Sequence, residues 1–388
     1  MNYQEIQEYL KDHKLDGWLL YDFQGTNPIA RSVAQIEGMS TRRWYCFIPS
    51  RGELQWIIPA IERHLFESKP GQFHIYKTWK GLWEKLSNIL KSRSKIAMEY
   101  SPNCAIPYIS RVDAGTVELV NQMEIEIVSS GDLVQHFQAR LTEKQYESHL
   151  KAVDLVYEAK DSAIHFIRHQ LDDQLEVSEW MTRQFLADEF KKLGLITNYL
   201  PIVAVNENAG NPHYESMGKK SSLITKGDLV LMDIWAKINE KHSIYADITW
   251  MSYVGEEVPT DVENVWTIVR DARDRGVQTV KNAFIANDEI RGYEIDDATR
   301  QVIQDAGYGD YFIHRTGHNI HEEDHGNGAH IDNFETHDAR LIVPRTCFSI
   351  EPGVYLPQFG VRSEINVYID PVQGPIVTTP PQTGLTIV

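Results

Sequence analysis

The sequence predicts an α/β domain followed by an α+β domain, and three observations lead to this expectation. Over the first 140 residues, short runs rich in β-branched and aromatic residues alternate with apolar residues at helical spacing. Beyond them, long helical patterns precede and separate runs typical of antiparallel hairpins. Between the two regions, residues 142–145 (Thr-Glu-Lys-Gln) have the form of a helix capping box. We therefore place a boundary near Arg140, with domains at 1–140 and 141–388.

The elements of the first domain follow from these patterns. Helices are predicted over residues 4–13 and 79–90, and strands over residues 17–21, 44–49, 54–58, 95–98 and 124–128. Neither common type of phosphate-binding glycine loop stands at a strand-to-helix junction, so this domain shows no chemistry of its own. In the second domain, helices are predicted from the capping box onward and over residues 178–193, 262–284 and 296–306.

The first predicted hairpin of the second domain carries two acids. Asp233 ends an apolar run, and Asp247 lies in a run rich in β-branched and aromatic residues. If residues 239–241 form the turn between them, the two acids face each other across the ladder. Directly opposed positions hold their Cβ atoms roughly 4.5 to 5.5 Å apart. That separation suits two carboxylates that share a pair of metal ions.

A second predicted hairpin repeats this arrangement. Glu351 and Glu364 are nearly symmetric about a turn at residues 356–360, and Arg362 points to the same face as Glu364. Unpaired buried charge is costly and normally requires a cation. Together with His318, the four acids predict a site for two divalent ions, and hence a hydrolase that activates water.

Composition limits the partners and the compartment. A net charge of −17, from 38 basic and 55 acidic residues, opposes a nucleic-acid or anionic-membrane partner. Residues 1–8 are polar and lack the features of a signal peptide, and no apolar run approaches the ~20 residues of a membrane span. A cytoplasmic location is expected. Cys46, Cys104 and Cys347 are scattered, which favours reduced thiols over disulfides.

Four motifs of the second domain resemble those of the pita-bread metallopeptidases. They are residues 245–249 (Tyr-Ala-Asp-Ile-Thr), 314–320 (His-Arg-Thr-Gly-His-Asn-Ile), 351–355 (Glu-Pro-Gly-Val-Tyr) and 360–364 (Gly-Val-Arg-Ser-Glu). The family contains methionine aminopeptidase, Xaa-Pro aminopeptidase and prolidase. The first domain is similar to the leading domain of creatinase and prolidase, which favours the Xaa-Pro branch. The resemblance implies an α/β N-terminal domain followed by an α+β pita-bread catalytic domain with antiparallel metal-binding hairpins.

Carried over residue by residue, the resemblance implies two ion sites. One ion would be held by Asp233, Asp247 and Glu364, and the other by Asp247, His318, Glu351 and Glu364. Asp247 and Glu364 would then bridge the two ions. Oxygen ligands with a single imidazole favour manganese over cobalt or zinc.

The resemblance also implies roles for residues around the ions. His314 and His325 stand where Xaa-Pro members have functional histidines, and both could donate hydrogen bonds to a tetrahedral oxyanion. His213 matches a histidine on the substrate side. Arg362 either pairs with a substrate carboxylate or braces Glu364 or another acid.

The implied activity is hydrolysis of the Xaa-Pro bond in a proline-containing peptide. A hydroxide bridging the two ions would attack, and Glu351 would take its proton and pass it to the leaving imide nitrogen. A homodimer is expected. The sequence does not distinguish a dipeptidase from an aminopeptidase, and the residue preferred before proline is open.

The sequence departs from the family pattern at four places, one of which is Trp235, where the family commonly has a glycine. Asn319 and Gly326 replace the usual glycine and glutamate. The stretch from Asp233 to Asp247 is longer than is usual in the family, which we interpret as a loop insertion.

Three interpretations compete with the peptidase. Residues 321–325 match the zinc motif His-Glu-x-x-His, but glycines on both sides argue against a helix there. A catalytically silent binding module on the same fold is the second, and a creatinase-like hydrolase of small-molecule C–N bonds is the third. Relatives of the last two kinds usually lack several of the ligands, whereas this sequence has all five.

Overall fold

The computed structural model describes residues 3–388, except for the side chain of Lys219. The chain divides into two compact units, Met1–Phe137 and Gln138–Val388. This division lies close to the boundary that we expected near Arg140. Within residues 3–388, none of the helices combines the length and the apolar content needed to cross a membrane.

The first unit is built on a six-stranded mixed sheet flanked by helices. Its elements are α1 (Tyr3–Asp12), β1 (Gly17–Asp22), α2 (Pro28–Ala34), β2 (Trp44–Pro49), β3 (Gln55–Pro59), β4 (Gln72–Tyr76), α3 (Trp79–Leu90), β5 (Lys95–Met98), α4 (Ala114–Asn121), β6 (Glu126–Ser129) and α5 (Gly131–Gln138). The strand order is β4-β3-β2-β1-β5-β6. The neighbours of β2 run antiparallel to it, whereas β3–β4, β1–β5 and β5–β6 are parallel pairs. The α/β prediction is therefore confirmed.

The sequence analysis missed β4, because this edge strand is largely exposed and lacks a buried apolar run. The central strands β1 and β2 are buried along their whole length, which explains their continuous apolar sequences. Short 3₁₀ turns at Ala60–Phe66 and Pro102–Cys104 complete the unit.

A buried carboxylate lies in the core of this unit. Glu99 accepts hydrogen bonds from Trp18 Nε1 at 2.6 Å, Asn27 Nδ2 at 2.8 Å and Ser130 Oγ at 3.2 Å. Burial raises the pKa of Glu99 to about 7, although all three hydrogen bonds favour the charged form. Desolvation therefore outweighs the hydrogen bonds at this position.

The second unit combines long helices with three mostly antiparallel sheets. Its elements are α6 (Glu143–Asp172), α7 (Glu179–Leu193), β7 (Leu195–Ile196), β8 (Ile202–Val205), β9 (Leu229–Ile238), β10 (Ala246–Tyr253), α8 (Thr260–Ala286), α9 (Gly292–Asp305), β11 (Asn319–Ile320), β12 (Cys347–Ile350), β13 (Gly353–Tyr355), β14 (Gly360–Arg362), β15 (Ile365–Asp370), β16 (Gly374–Val377) and β17 (Thr386–Ile387). The first sheet has the order β17-β10-β9-β7, with β8 also paired to β9, and the second has the order β11-β12-β15-β16. Strands β13 and β14 form a separate hairpin. The sheets are antiparallel except for the parallel pair β10–β17.

Helices cover both of the larger sheets. Helices α6 and α7 pack on the sheet of β9 and β10, whereas α8 contacts β12, β14 and β16 and packs against α9. The capping box predicted at the start of α6 is confirmed, since Thr142 Oγ1 accepts from the Gln145 amide and the Gln145 side chain accepts from the Thr142 amide. Short 3₁₀ turns lie at Asn206–Gly210, Gly218–Lys220 and Gly309–Tyr311.

The predicted hairpins are present, but the register of the first differs from our expectation. Asp247 pairs with Trp235, and Asp233 pairs with Thr249, so the prediction that the two acids oppose each other directly was wrong. The ladder is centred one residue later than we assumed, and the connection adopts positive φ at His242. The acids are diagonal neighbours on one face, a spacing that carboxylates still bridge through a shared ion.

The second pair of acids has the register that we predicted. Ile350 pairs with Ile365, and Gly353 pairs with Arg362. The residue pairs Ile350–Ile365 and Gly353–Arg362 share one register. Continuing that register between them places Glu351 opposite Glu364.

Candidate metal centre

One asparagine joins the two acid-bearing hairpins. Asn366, on β15, accepts from the Asp247 amide through Oδ1 at 2.9 Å and donates to the Asp247 carbonyl through Nδ2 at 2.7 Å. The Asn366 side chain thereby satisfies both backbone groups of Asp247, as the backbone of a neighbouring strand would. Asp247 is held beside the second sheet as a result, and the two pairs of acids meet.

The predicted ligands lie together at this junction. Ligand atoms of Asp247, His318 and Glu364 all lie within 4.8 Å of one another. His318 Nε2 lies 3.5 Å from Asp247 Oδ2 and 3.3 Å from Glu351 Oε1. Asp233 is linked to the group through Thr249, whose Oγ1 lies 3.4 Å from Asp233 Oδ1 and donates to Glu364 Oε2 at 2.9 Å.

The electrostatics of the cluster favour a bound cation. Burial raises the pKa of Asp247 and Glu364 well above the usual values, and the neighbouring acids raise them further. Burial also raises the pKa of Asp233, and it raises that of Glu351 to about 7. Among the residues that the structure describes, Asp247 Oδ1 and Glu364 Oε1 are buried with no hydrogen-bond partner. Oxygen atoms placed in this way fit divalent ions, which would satisfy them and neutralise the repulsion.

His318 is suited to bind an ion as a neutral imidazole. Burial lowers its pKa well below the usual value, and His325 and Arg315 lower it further. Its backbone is fixed on β12, because the His318 amide donates to Ser349 Oγ at 3.0 Å and the Ser349 amide donates to the His318 carbonyl at 2.8 Å. The Ser349 hydroxyl also donates to Glu351 Oε1 at 3.0 Å, so one serine orients both ligands.

Arg362 is buried within the cluster. Its guanidinium donates to Asp233 Oδ2, to Thr249 Oγ1 at 2.9 Å and to the Tyr355 hydroxyl at 3.4 Å. Of the two roles that the sequence left open, these contacts favour the bracing of an acid. The acid that it braces is Asp233 rather than Glu364.

Both ring nitrogens of His314 contact protein groups. Its Nδ1 donates to the Arg315 carbonyl at 2.7 Å, and its Nε2 lies 2.7 Å from the Tyr355 hydroxyl. Burial lowers the pKa of His314 to about 3, and Arg362 contributes to the same effect. In the neutral ring Nε2 accepts from Tyr355, which leaves no N–H to donate to an oxyanion. The geometry therefore favours a role in orienting Tyr355.

His325 is exposed, and unlike His314 it has a ring N–H that is available to donate a hydrogen bond. Its ring lies against the His318 ring, with centroids 4.1 Å apart. Arg315 Nη2 lies 3.4 Å from His325 Nδ1. Since a guanidinium only donates, Nδ1 is the acceptor and the neutral ring carries its proton on Nε2. This tautomer offers a hydrogen-bond donor beside the predicted ligands.

His213 reaches the cluster from another loop. It is exposed, and it lies close enough to Asp233 and His325 to affect their titration. Its loop is anchored by Glu179, whose side chain is fully buried. The site residues predicted from the sequence thus fall in one region of the second unit.

The structure does not support the zinc motif. Residues 321–325 form bends between β11 and the following loop, not a helix, so the spacing cannot place two histidines on one helical face.

Sequence reasoning missed four side chains that position the site. Thr249, Tyr355 and Arg315 bond to the predicted residues, and Asn366 bonds to the backbone of one. Thr249 had a signal, because it lies two residues after Asp247 and so points to the same face of the strand. Asn366 had none, since its partner lies 119 positions away in the chain.

Comparisons with known proteins find relatives of this chain. Residues 147–371 match metallopeptidase family M24. An Xaa-Pro dipeptidase from Lactobacillus delbrueckii subsp. lactis is 32% identical over 174 residues, which cover 43% of this chain and 41% of that protein. The chain spans about half the length of the curated relatives it matches.

Solved structures resemble the whole chain. The prolidase from Thermococcus sibiricus has a TM-score of 0.63 at 22% identity, with 100% of both chains covered. An X-prolyl aminopeptidase from Caenorhabditis elegans, described as a cytosolic enzyme with a di-nuclear active site, has a TM-score of 0.64 at 16% identity and covers 98% of this chain and 62% of its own. The predicted two-domain pita-bread fold is confirmed.

The fold and the family match together define the class of protein, a chain with the two-domain pita-bread fold. Since the family match covers more than half of its length, the chain belongs to metallopeptidase family M24.

Proposed function

We propose that this chain is a dinuclear metal-dependent peptidase that hydrolyses Xaa-Pro peptide bonds. The observation that carries the proposal is the cluster of Asp247, Glu351 and Glu364 at His318, in which Asp247 Oδ1 and Glu364 Oε1 are buried without a partner among the described residues. A binding protein gains nothing from such a cluster, because it destabilises the fold unless cations occupy it.

The ligands divide between two ions. Asp233 would hold one ion and His318 and Glu351 the other, with Asp247 and Glu364 shared. Manganese is the expected metal, and cobalt and zinc would also accept this ligand set. When bound, the ions would polarise the scissile carbonyl and lower the pKa of a water molecule.

Glu351 is the proposed general base. Its Oε1 lies 3.3 Å from His318 Nε2 and accepts a hydrogen bond from Ser349 Oγ at 3.0 Å, which holds the carboxylate beside the predicted ion site. After taking a proton from the attacking water, it would pass that proton to the leaving nitrogen. An imide nitrogen of an Xaa-Pro bond carries no hydrogen of its own, so this transfer is needed for the secondary amine to leave.

His325 is the proposed donor to the developing oxyanion. The contact from Arg315 assigns its proton to Nε2, which makes that atom available as a donor. His213 would contact the substrate from the opposite loop. His314 was predicted to share the role of donor, and its contacts point instead to support of Tyr355.

A direct assay tests this function. Manganese-loaded protein should cleave an Xaa-Pro dipeptide, an Xaa-Pro tripeptide, or both, and the ratio of the two rates distinguishes dipeptidase from aminopeptidase. Asp247→Ala should abolish cleavage, whereas Glu240→Ala, at an exposed acid beyond the end of β9, should not. Protein that neither retains metal tightly nor cleaves either peptide would favour the silent binding module. Cleavage of a small-molecule C–N bond alone would favour the creatinase-like hydrolase.

The homodimer and the cytoplasmic location remain predictions. Sedimentation of the purified protein and fractionation of its source cells would test them.

A further inference from the structure

Asn319 is the first residue of β11 and lies directly between His318 and the loop that follows this strand. Its side chain is 1% exposed. Nδ2 donates to the Cys347 carbonyl at 2.8 Å, and Oδ1 accepts from the Gly328 amide at 2.9 Å. Its carbonyl also accepts from the Gly326 amide at 2.8 Å. One residue therefore bonds both to β12 and to the returning arm of the loop.

The bonds of Asn319 enclose His325. Gly317 and Ile331 exchange two backbone hydrogen bonds, at 3.0 and 3.1 Å, and close the base of the loop. Within the loop, Asn319 accepts hydrogen bonds from the Gly326 and Gly328 amides, and His325 directly precedes Gly326. We call residues 321–328 the His325 segment.

Two glycines of this segment make room for the Asn319 side chain. A Cβ at Gly326 would lie 2.3 Å from Asn319 Oδ1, and a Cβ at Gly328 would lie 2.6 Å from both Asn319 Cγ and Nδ2. Neither glycine has positive φ, so their backbones do not demand glycine. The absence of a side chain at both positions is instead what allows the amide to enter.

We propose that Asn319 is a positioning residue for His325, holding it beside His318 by clamping the His325 segment to β12. This inference rests on the proposed function, because it assigns His325 a part in the peptidase reaction. Asn319 itself touches no reacting group, and its effect passes through the segment. A histidine that donates only in the transition state is sensitive to small displacements.

Kinetics of Asn319→Ala test the clamp. We expect kcat for an Xaa-Pro peptide to fall about 10- to 100-fold, with KM and the bound metal little changed, since the carboxylates are untouched. Asn327→Ala is the matched control, because its side chain lies in the same segment but bonds to Gln138. Its kinetics should stay as in the wild type. Loss of metal in Asn319→Ala, or an unchanged kcat, would overturn the proposal.

Double variants answer two questions. The first is whether Asn319 acts through His325, and the second is whether its side chain needs the space left by Gly326. Adding Asn319→Ala to His325→Ala should cost no further activity, whereas multiplied losses would mean an independent role. Gly326→Ala should be more damaging in the wild type than in an Asn319→Gly background, where the clash at 2.3 Å is gone. Equal damage in both backgrounds would contradict the steric argument.

Hydrogen exchange provides a measurement that does not depend on activity. The amides of the His325 segment should exchange faster in Asn319→Ala than in the wild type or in Asn327→Ala, because the Gly328 amide loses its acceptor. Unchanged exchange would overturn the clamp. If the wild type cleaves no Xaa-Pro peptide, the proposed function fails, while the exchange comparison still decides whether Asn319 clamps the segment.

Discussion

Arg362 shows how one residue determines the charge balance of the site. Its guanidinium bonds to Asp233 and Thr249 at once, and Thr249 bonds to Glu364. A planar fork with several donors can make these contacts together, whereas an ammonium group cannot. Arg362 therefore orients two predicted ligands and offsets part of their mutual repulsion.

We predict that Arg362→Lys lowers kcat about 10- to 100-fold and weakens metal binding, as is usual when partners of metal ligands are lost. The loss should be equal for an Xaa-Pro dipeptide and for the same peptide with an amidated C-terminus. Steady-state kinetics on the two peptides and calorimetric titration with manganese provide the measurement. A KM increase confined to the free carboxylate would instead show that Arg362 binds the substrate.

At the residue scale, the sequence indicated the charged candidate ligands more clearly than their neutral hydrogen-bond partners. Asp233, Asp247, Glu351 and Glu364 stand out because acids in apolar strands are rare without a purpose. Asn366 and Asn319 do not stand out, since an asparagine in a strand or turn has many ordinary uses. Their roles depend on partners that only the fold brings near.

Helix α7 and the loop that carries His213 illustrate positioning by a whole element. Glu179, in the first turn of α7, accepts hydrogen bonds at 2.7 to 2.8 Å from the amides of Val205 and Ser222, from Asn208 and from the Tyr214 hydroxyl. Every one of these donors belongs to the segment 205–222. One buried carboxylate thus holds the loop on both sides of His213.

We predict that Glu179→Gln raises KM for an Xaa-Pro peptide roughly tenfold, because the amide cannot accept all four hydrogen bonds and the loop loosens. Combined with His213→Ala, the substitution should add little. Asp188→Asn on the exposed face of α7 serves as the control. KM values for the four variants form the test, and full additivity of the two changes would contradict the assigned role.

Element positions were more predictable than their register. Helix α3 has the bounds expected from its apolar spacing, and the second hairpin has the expected symmetry. The first hairpin differs because its connection, residues 239–245, is not a tight turn. The position of the ladder then depends on tertiary contacts such as the Ser243 hydroxyl bond to the Ile238 carbonyl.

At the scale of the whole molecule, a buried ionisable group of the first unit contributes to stability in a pH-dependent way. Glu99 in the first unit has a pKa raised from 4.5 to about 7 by burial. The folded state therefore binds this proton more tightly than the unfolded chain does. Its contribution to stability is complete below pH 4.5 and is lost as the pH rises through about 7.

We predict that the first unit becomes less stable between pH 5 and 8 by an amount on the order of 3 kcal/mol from this group. Glu99→Gln should flatten that dependence, since the amide does not titrate. Denaturant unfolding followed by tryptophan fluorescence at several pH values gives the comparison. The same slope in wild type and variant would mean that Glu99 stays ionised in the folded state.

The central claim is that five side chains of the second unit hold two divalent ions for peptide hydrolysis. The most direct measurement is the number of manganese ions bound per chain, made alongside cleavage of an Xaa-Pro peptide. We predict two ions in the wild type, one in His318→Ala and none in Asp247→Ala, with cleavage only in the wild type. Fewer than two ions in the wild type at saturating metal, or full cleavage by Asp247→Ala, would contradict the account.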